Sequence, residues 1–363
     1  MGKRSTPSKA DSPLLDELRT LINQARWQTA QAVNSGLTLL YWRVGERIRR
    51  EVLLNKRADY GAEILATLSQ ELTKDYGKGF SGSALTRMVK FAEAFPDGQI
   101  VVSLSRQLSW SHFIEILPLK QPLEREYYAQ MCSIERWSVR TLRDRIASQL
   151  YLRTNISKKP ETIVDKELKA LRETGQMTPD MVFRDPYMLD FLGLPEHYSE
   201  SDLESRILAD MERFLLELGS GFTFVARQKR MSIGADDFYL DLLFYHRHLR
   251  RLVALELKLE KFQATHKGQM ELYLRWLDKH ERAAGEEAPI GLILCAQADS
   301  EQVELLDVQG SNIRVAEYMA HIPDVKLLRE QLHRSVLHAQ EQAHATLMWD
   351  GNEKNIDKKE HQK

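Results

Sequence analysis

Two short apolar runs joined by a basic loop, Phe238–Lys258, constrain this chain more than any other stretch. The first reads Phe-Tyr-Leu-Asp-Leu-Leu-Phe-Tyr and the second Leu-Val-Ala-Leu-Glu-Leu-Lys, with His246–Arg251 between them. β-prone runs of this length around a short polar loop predict an antiparallel hairpin. A hairpin symmetric about His248 and Leu249 sets Asp241 almost opposite Glu256. Like charges facing each other across a ladder destabilise it, and a buried ionised carboxylate is costly unless paired. A divalent cation between the two acids removes both penalties. Side-chain alternation also puts Lys258 on the face of Glu256, with Val253, Leu255 and Leu257 on the other. Two carboxylates and an ammonium around a hard cation suit phosphodiester hydrolysis. The acids hold the metal, the metal activates water and polarises the phosphoryl oxygen, and the lysine orients water or neutralises developing charge.

The tripeptide alone carries no weight, and the chain supplies its own control. Glu167-Leu168-Lys169 repeats Glu-x-Lys within the polar, helix-like run Val164–Thr174, where it reads as a solvated helix face. Only the copy at Glu256 has a hydrophobic strand around it and an acid in register on a second strand. Upstream, Leu203, Ile207, Met211, Phe214 and Leu218 recur at helical spacing over Ser201–Leu218, and glycine ends the run. A strand, Phe222–Ile233, leads into the hairpin. Downstream, a helix over His266–His280 places Gln269 and Tyr273 on one face, and a buried strand follows at Ile290–Ala296.

This Asp, spacer, Glu-x-Lys pattern resembles the PD-(D/E)XK restriction-like nuclease superfamily, and the element order matches its αβββαβ core. Leu240 stands where the superfamily label has proline, a position that tolerates replacement. Gln269 and Tyr273 resemble the Gln-x-x-x-Tyr element of the branch related to RecB and phage exonucleases, where the glutamine lies near metal and substrate. Glu204 matches the helical position at which many members carry a further acid. A longer set of segments is more specific: Gly-Phe-Thr-Phe-Val-Ala-Arg-Gln (221–228), Asp-Leu-Leu-Phe-Tyr-His-Arg (241–247), Gly-Gln-Met (268–270) and Ile-Gly-Leu-Ile-Leu-Cys (290–295). With Tyr41-Trp42, Tyr60-Gly61, Gly77-Lys78-Gly79-Phe80-Ser81, Leu108-Ser109-Trp110-Ser111-His112 and Trp137-Ser138-Val139, they are similar to the YhcG-like family of predicted nucleases. The resemblance runs from about Leu14 to Tyr318. It implies a cytoplasmic, bacterial-type protein in which a helical N-terminal module precedes a PD-(D/E)XK domain. It further implies Mg²⁺, with Mn²⁺ as the substitute, held by Asp241, Glu256 and Glu204, with Lys258 and Gln269 assisting.

Charge divides along the chain. The net charge is −1, yet residues 1–160 hold 25 Lys+Arg against 16 Asp+Glu, a balance of +9, and residues 161–363 a balance of −10. A basic half suits a polyanion. DNA is the expected partner, with RNA and branched DNA as alternatives, and a homo-oligomer is compatible with all three. Arg227, Gln228, Tyr273 and the loop residues His246 and Arg247 are candidate substrate contacts, as are Arg87 and Lys90 in the N-terminal half. The turn Gly77–Phe80, with Ser81 or Ser83 as N-cap of a helix over Ala84–Phe95, gives a helix-turn-helix or winged-helix pattern. Cys132 and Cys295 are distant and apolar in context, which excludes a disulfide framework and a cysteine-rich zinc site. No apolar run is long enough to span a membrane. The expected organisation is a disordered 1–13, a helical DNA-binding or targeting domain over 14–153, and a linker partly packed on the core over 154–200. The nuclease domain follows over 201–322, then a helix over 323–349 and a disordered tail over 350–363. The competing reading from another class is a non-cleaving nucleic-acid-binding or scaffold protein.

Overall fold

The computed structural model describes residues 13–55, 58–219, 221–306, 308, 312–321 and 324–360, so the expectation of disorder for the first twelve residues and the last three lies outside them. The chain divides into two compact units, residues 1–142 and 143–363. The first is helical throughout its described residues: α1 (Pro13–Asn55), α2 (Ala58–Tyr76), α3 (Gly82–Ala94), α4 (Gly98–Ser105), α5 (Trp110–Ile116) and α6 (Pro122–Glu135). α7 (Val139–Ala147) crosses the boundary. α1 and α3 touch backbone to backbone, because a Cβ on Gly45 would collide with the Met88 carbonyl. Phe91, Phe95, Trp110 and Phe113 build a ring cluster beside them, and the Trp42 indole donates to the Phe95 carbonyl at 2.8 Å. α2, a 3₁₀ turn at Lys78–Phe80 and α3 keep the helix-turn-helix succession, with Ser81 as the N-cap of α3. Among the described residues this unit has no strand, so the winged variant is corrected: nothing is present to form a wing.

The second unit opens with α8 (Leu150–Arg153), α9 (Glu161–Thr174) and α10 (Pro179–Val182), followed by β1 (Tyr187–Met188). Then come α11 (Glu200–Ala209), α12 (Met211–Leu218), β2 (Phe222–Ile233), β3 (Asp236–His246) and β4 (Arg251–Lys261). α13 (Ala264–His280), β5 (Ile290–Gln297), α14 (Ser300–Leu305), β6 (Ile313–Met319) and α15 (Val325–Glu360) complete it. One six-stranded sheet runs in the order β1-β6-β5-β4-β3-β2. β2, β3 and β4 are antiparallel, whereas β4, β5, β6 and β1 are parallel. The succession helix, three strands, helix, strand expected from the hydrophobic pattern is present from α11 to β5. Ala254, Ile293 and Cys295 of the sheet bury against Met270, Tyr273, Leu274 and Leu277 of α13.

Four boundaries differ from the sequence expectation. Residues 154–200 bury Phe183, Tyr187 and Leu194, in keeping with a segment packed on the core, but they also contribute α9, α10 and a sheet strand, which a linker does not. The helix expected over Ser201–Leu218 breaks at Asp210, which leaves the helical region (φ −120°, ψ 43°). Aspartate competes for backbone groups and favours such ends. β6 adds a strand beyond the expected core. The last helix continues to Glu360, through residues expected to be disordered, where no proline stops it and Glu353, Lys354, Lys358 and Lys359 favour the helical state.

One buried ion cluster ties the early part of this unit to its core. Glu217 on α12 accepts from Arg153 Nη1 at 2.5 Å and lies 3.2 Å from Arg184 Nη1. It also accepts the Met188 N–H at 3.0 Å. Burial alone would raise the Glu217 pKa, but the two guanidiniums outweigh it and hold the group below the usual range.

Candidate active site

The acids meet where the central hairpin opens. β3 and β4 pair from His246↔Arg251 to Leu242↔Leu255, so Asp241 and Glu256 are the next pair along, as the symmetry about His248 and Leu249 requires. Beyond Leu242 the ladder parts, which leaves the N–H of Leu257 without a carbonyl on β3. The Asp241 carboxylate takes that place and accepts from Leu257 N at 2.9 Å. Glu256 Oε2 in turn accepts from the Asp241 N–H at 3.4 Å. Two carboxylates thus stand in for missing strand carbonyls, and the split in the ladder holds them together.

Burial sets their charge. Glu256 is almost wholly buried. Desolvation, then the charge on Asp241, pushes its pKa up to about 8, against a smaller pull from Lys258. Asp241 is also raised, by burial first, despite its hydrogen bond from Leu257 and the charge on Lys258. The Lys258 ammonium stands 3.5 Å from Glu256 Oε1. Like-charge proximity and desolvation are what a bound cation relieves.

β2 and α11 complete the cluster. Between the pairs Arg227↔Leu242 and Lys229↔Leu240 the β2–β3 ladder skips one position on each strand, so Gln228 lies across from Asp241. Gln228 adopts a φ of +43°, a left-handed conformation uncommon outside glycine. Its amide donates to Asp241 Oδ1 at 3.2 Å and to Glu204 Oε2 at 2.9 Å. Glu204, reaching in from α11, keeps its other oxygen, Oε1, buried without a hydrogen bond; Arg227 Nε is 3.7 Å from it. α13 supplies the remaining wall. Gln269 donates to the Tyr273 hydroxyl at 2.7 Å. Burial, together with the charges of Glu256 and Asp241, raises the Tyr273 pKa against the Gln269 bond, which lowers it.

The site therefore assembles Asp241, Glu256, Lys258, Gln228, Glu204 and Arg227, with Gln269 bonded to the buried Tyr273 beside them. The turn residues are not brought to it. His246 lies five residues from Asp241 along β3, roughly 17 Å, and is only 1% exposed. Its Nδ1 accepts the Leu249 N–H at 3.1 Å, and its ring stacks edge-on to Phe222 with centroids 4.6 Å apart. Burial drives its pKa down to about 3. His246 is a neutral residue that closes the hairpin, which corrects its expected place among the substrate contacts. Arg247, beside it, is exposed at the same far end. Arg87 and Lys90 are exposed on α3 of the first unit.

Sequence reasoning missed Glu200. It accepts the Leu259 N–H at 3.3 Å, and its charge contributes to raising Asp241. An acid in the first turn of a helix reads as a partner of the helix dipole, which hides any second role. The bridging role of Gln228 was equally invisible, because it depends on a skipped ladder position.

The donor set fits a hard cation. Among the described residues no three His, Cys, Asp or Glu side chains converge as a ready-made cage. Mg²⁺ does not need one, since it keeps several waters and takes one or two carboxylates together with substrate phosphates. Asp241 and Glu256 would supply oxygen ligands, and Glu204, whose Oε1 is buried without a hydrogen bond, would be a further oxygen donor.

Residues 180–333 match the model of the YhcG PDDEXK nuclease domain, and residues 17–153 match the DUF1016 N-terminal domain. The chain is 33% identical over 351 residues to "Putative nuclease YhcG" of Escherichia coli (strain K12), covering 88% of this chain and 93% of that one. Among solved structures, a repair endonuclease from Pyrococcus abyssi matches at 20% identity and a TM-score of 0.25, over 36% of this chain and 50% of that one. An EndoMS–dsDNA complex matches at 18% identity and a TM-score of 0.27, over 36% and 48%. The chain thus spans about half the length of these two structures. Identity carried along nearly the full length of the E. coli protein, with both domain models matched in order, makes this chain a member of the YhcG family, with a DUF1016 N-terminal domain and a PDDEXK nuclease domain.

Proposed function

We propose that the protein is a metal-dependent nuclease that hydrolyses DNA phosphodiester bonds, with its first unit binding or targeting nucleic acid. The observation that carries this reading is the buried pair Asp241 and Glu256 with Lys258 alongside. Nothing in sheet packing requires that pair, and its ionised form is costly there. Asp241 and Glu256 would hold Mg²⁺, or Mn²⁺ in its place, and Glu204 would orient a coordinated water. When bound, such a cation polarises a phosphoryl oxygen and acidifies a water. Lys258 places a positive charge where the phosphorane gains negative charge. Gln269, held by its bond to the buried Tyr273 hydroxyl, would face the substrate backbone, and Arg227, largely exposed at the rim, would meet a phosphate. In the first unit the exposed Arg87 and Lys90 on α3 would contact the nucleic-acid backbone.

A cleavage panel tests the reading: supercoiled plasmid, linear duplex, single strands, branched DNA and RNA, each with Mg²⁺, Mn²⁺ or EDTA. Asp241→Ala and Lys258→Ala are expected to lose metal-dependent cutting by a factor of at least about 10³ with unchanged melting cooperativity. Full residual activity in either variant overturns the assignment. Inertness on every substrate together with tight DNA binding would favour the non-cleaving alternative.

A further inference from the structure

Residues 15–40 of α1 present an apolar face that no described residue covers. Leu15, Leu18, Ile22, Val33, Leu37 and Leu40 are each between 42% and 56% exposed. At 100° per residue all six fall within one stripe about 100° wide. Over residues 31–42 the opposite side of the helix is the packed one, whereas residues 14–30 are exposed all round. There Gln31 donates to the Arg106 carbonyl at 2.6 Å, Ser35 meets Ser105 at 2.9 Å, and Trp42 reaches Phe95. Arg19, Arg26 and Thr29 interrupt the stripe, yet exposed apolar surface of this extent marks an interaction site.

The order of residues in the stripe identifies its occupant. Leu15, Leu18, Ile22 and Ala25 are spaced three, four and three residues apart, and so are Ala30, Val33, Leu37 and Leu40. The second set is the mirror image of the first about the midpoint between Trp27 and Gln28. An antiparallel copy of the helix crossing at that midpoint sets Leu15 against Leu40, Leu18 against Leu37, Ile22 against Val33 and Ala25 against Ala30. A surface that is its own complement under a two-fold rotation is what an isologous dimer requires. A parallel pairing instead sets Arg26 against Arg26 and Arg19 against Arg19, whereas the antiparallel register sets Arg26 against Thr29 and Arg19 against Gly36. The stripe from Leu15 to Leu40 is roughly 39 Å long and about 10 Å wide. As a flat strip that is about 390 Å², roughly half of the 800 Å² per partner that a standard interface buries, so the side chains flanking the stripe contribute the rest.

We propose that α1 is the dimerisation element of this protein, pairing with α1 of a second copy in an antiparallel two-helix contact centred between Trp27 and Gln28. The proposal stands independently of the nuclease reading.

The test is the mass of the full chain by sedimentation across micromolar concentrations, for the wild type, Leu18→Glu, Leu37→Lys and the double variant. The wild type is expected as a dimer. Each single variant buries a charge against a leucine and is expected to weaken association by at least about 100-fold. The double variant faces Glu with Lys twice across the two-fold axis and is expected to recover the dimer. The substituted positions are exposed, and thermal melts followed by circular dichroism check that each chain stays folded. A wild type that remains monomeric, or a dimer that neither single substitution weakens, overturns the proposal. Failure of the double variant to recover overturns the antiparallel register, because only that register brings residues 18 and 37 together.

Discussion

Glu256 holds a proton that its unfolded counterpart would release. Its folded pKa of about 8 lies far above the ordinary carboxylate value of 4.5. Below about pH 4.5 both states are protonated and the site costs nothing. Between that value and about 8 the unfolded chain ionises first, so the folded state binds more protons and stability falls as pH rises. In metal-free protein the melting temperature is expected to decline across that window by an amount equivalent to a few kcal/mol. Glu256→Gln, which imitates the protonated acid, is expected to flatten this part of the decline and to melt higher than the wild type at pH 8. Added Mg²⁺ should raise the wild-type melting temperature most at the alkaline end and leave the Gln variant nearly unmoved. A wild-type decline no steeper than that of the variant would show that Glu256 is ionised in the folded protein.

The hairpin of β3 and β4 shows how much could be read from the sequence and where the reading stopped. Alternation and loop symmetry were enough to set Asp241 opposite Glu256 and Lys258 beside it, because each of those relations follows from a period of two residues. Periodicity also located β2, α13 and β5. It could not show that the ladder splits after Leu242, that Gln228 leaves the extended conformation, or that Asp210 breaks the preceding helix. Those features arise from competition between strands and helices distant in sequence. The basic loop misled for a related reason. A histidine among arginines suggests phosphate contact, but burial against Phe222 and the bond from Leu249 make His246 a structural residue. His246→Ala is expected to cost about 2–3 kcal/mol of stability. Cleavage per folded molecule should stay unchanged, as checked by denaturant melts and by activity normalised to folded protein. Loss of activity without loss of stability would return His246 to the substrate contacts.

At the scale of the whole molecule, the cluster around Glu217 decides which piece of chain can stand alone. Arg153 is fully buried, and removing it leaves the buried Glu217 with Arg184 as its nearest remaining guanidinium and three polar groups without their partner. A fragment comprising residues 143–363 is expected to melt cooperatively. One beginning at residue 180, where the nuclease-domain match starts, is expected to be unfolded or aggregated by circular dichroism and light scattering. Equal stability of the two fragments would show that Arg153 is dispensable. The location of that arginine has a consequence for ancestry as well as folding. Arg153 is the last residue of the DUF1016 match, while Glu217 belongs to the nuclease match. Recombination that replaced either matched segment with one from an unrelated protein would separate a buried acid from its base. The ion pair between Arg153 and Glu217 therefore joins the two matched segments, so neither is expected to stay folded when the other is replaced by an unrelated sequence.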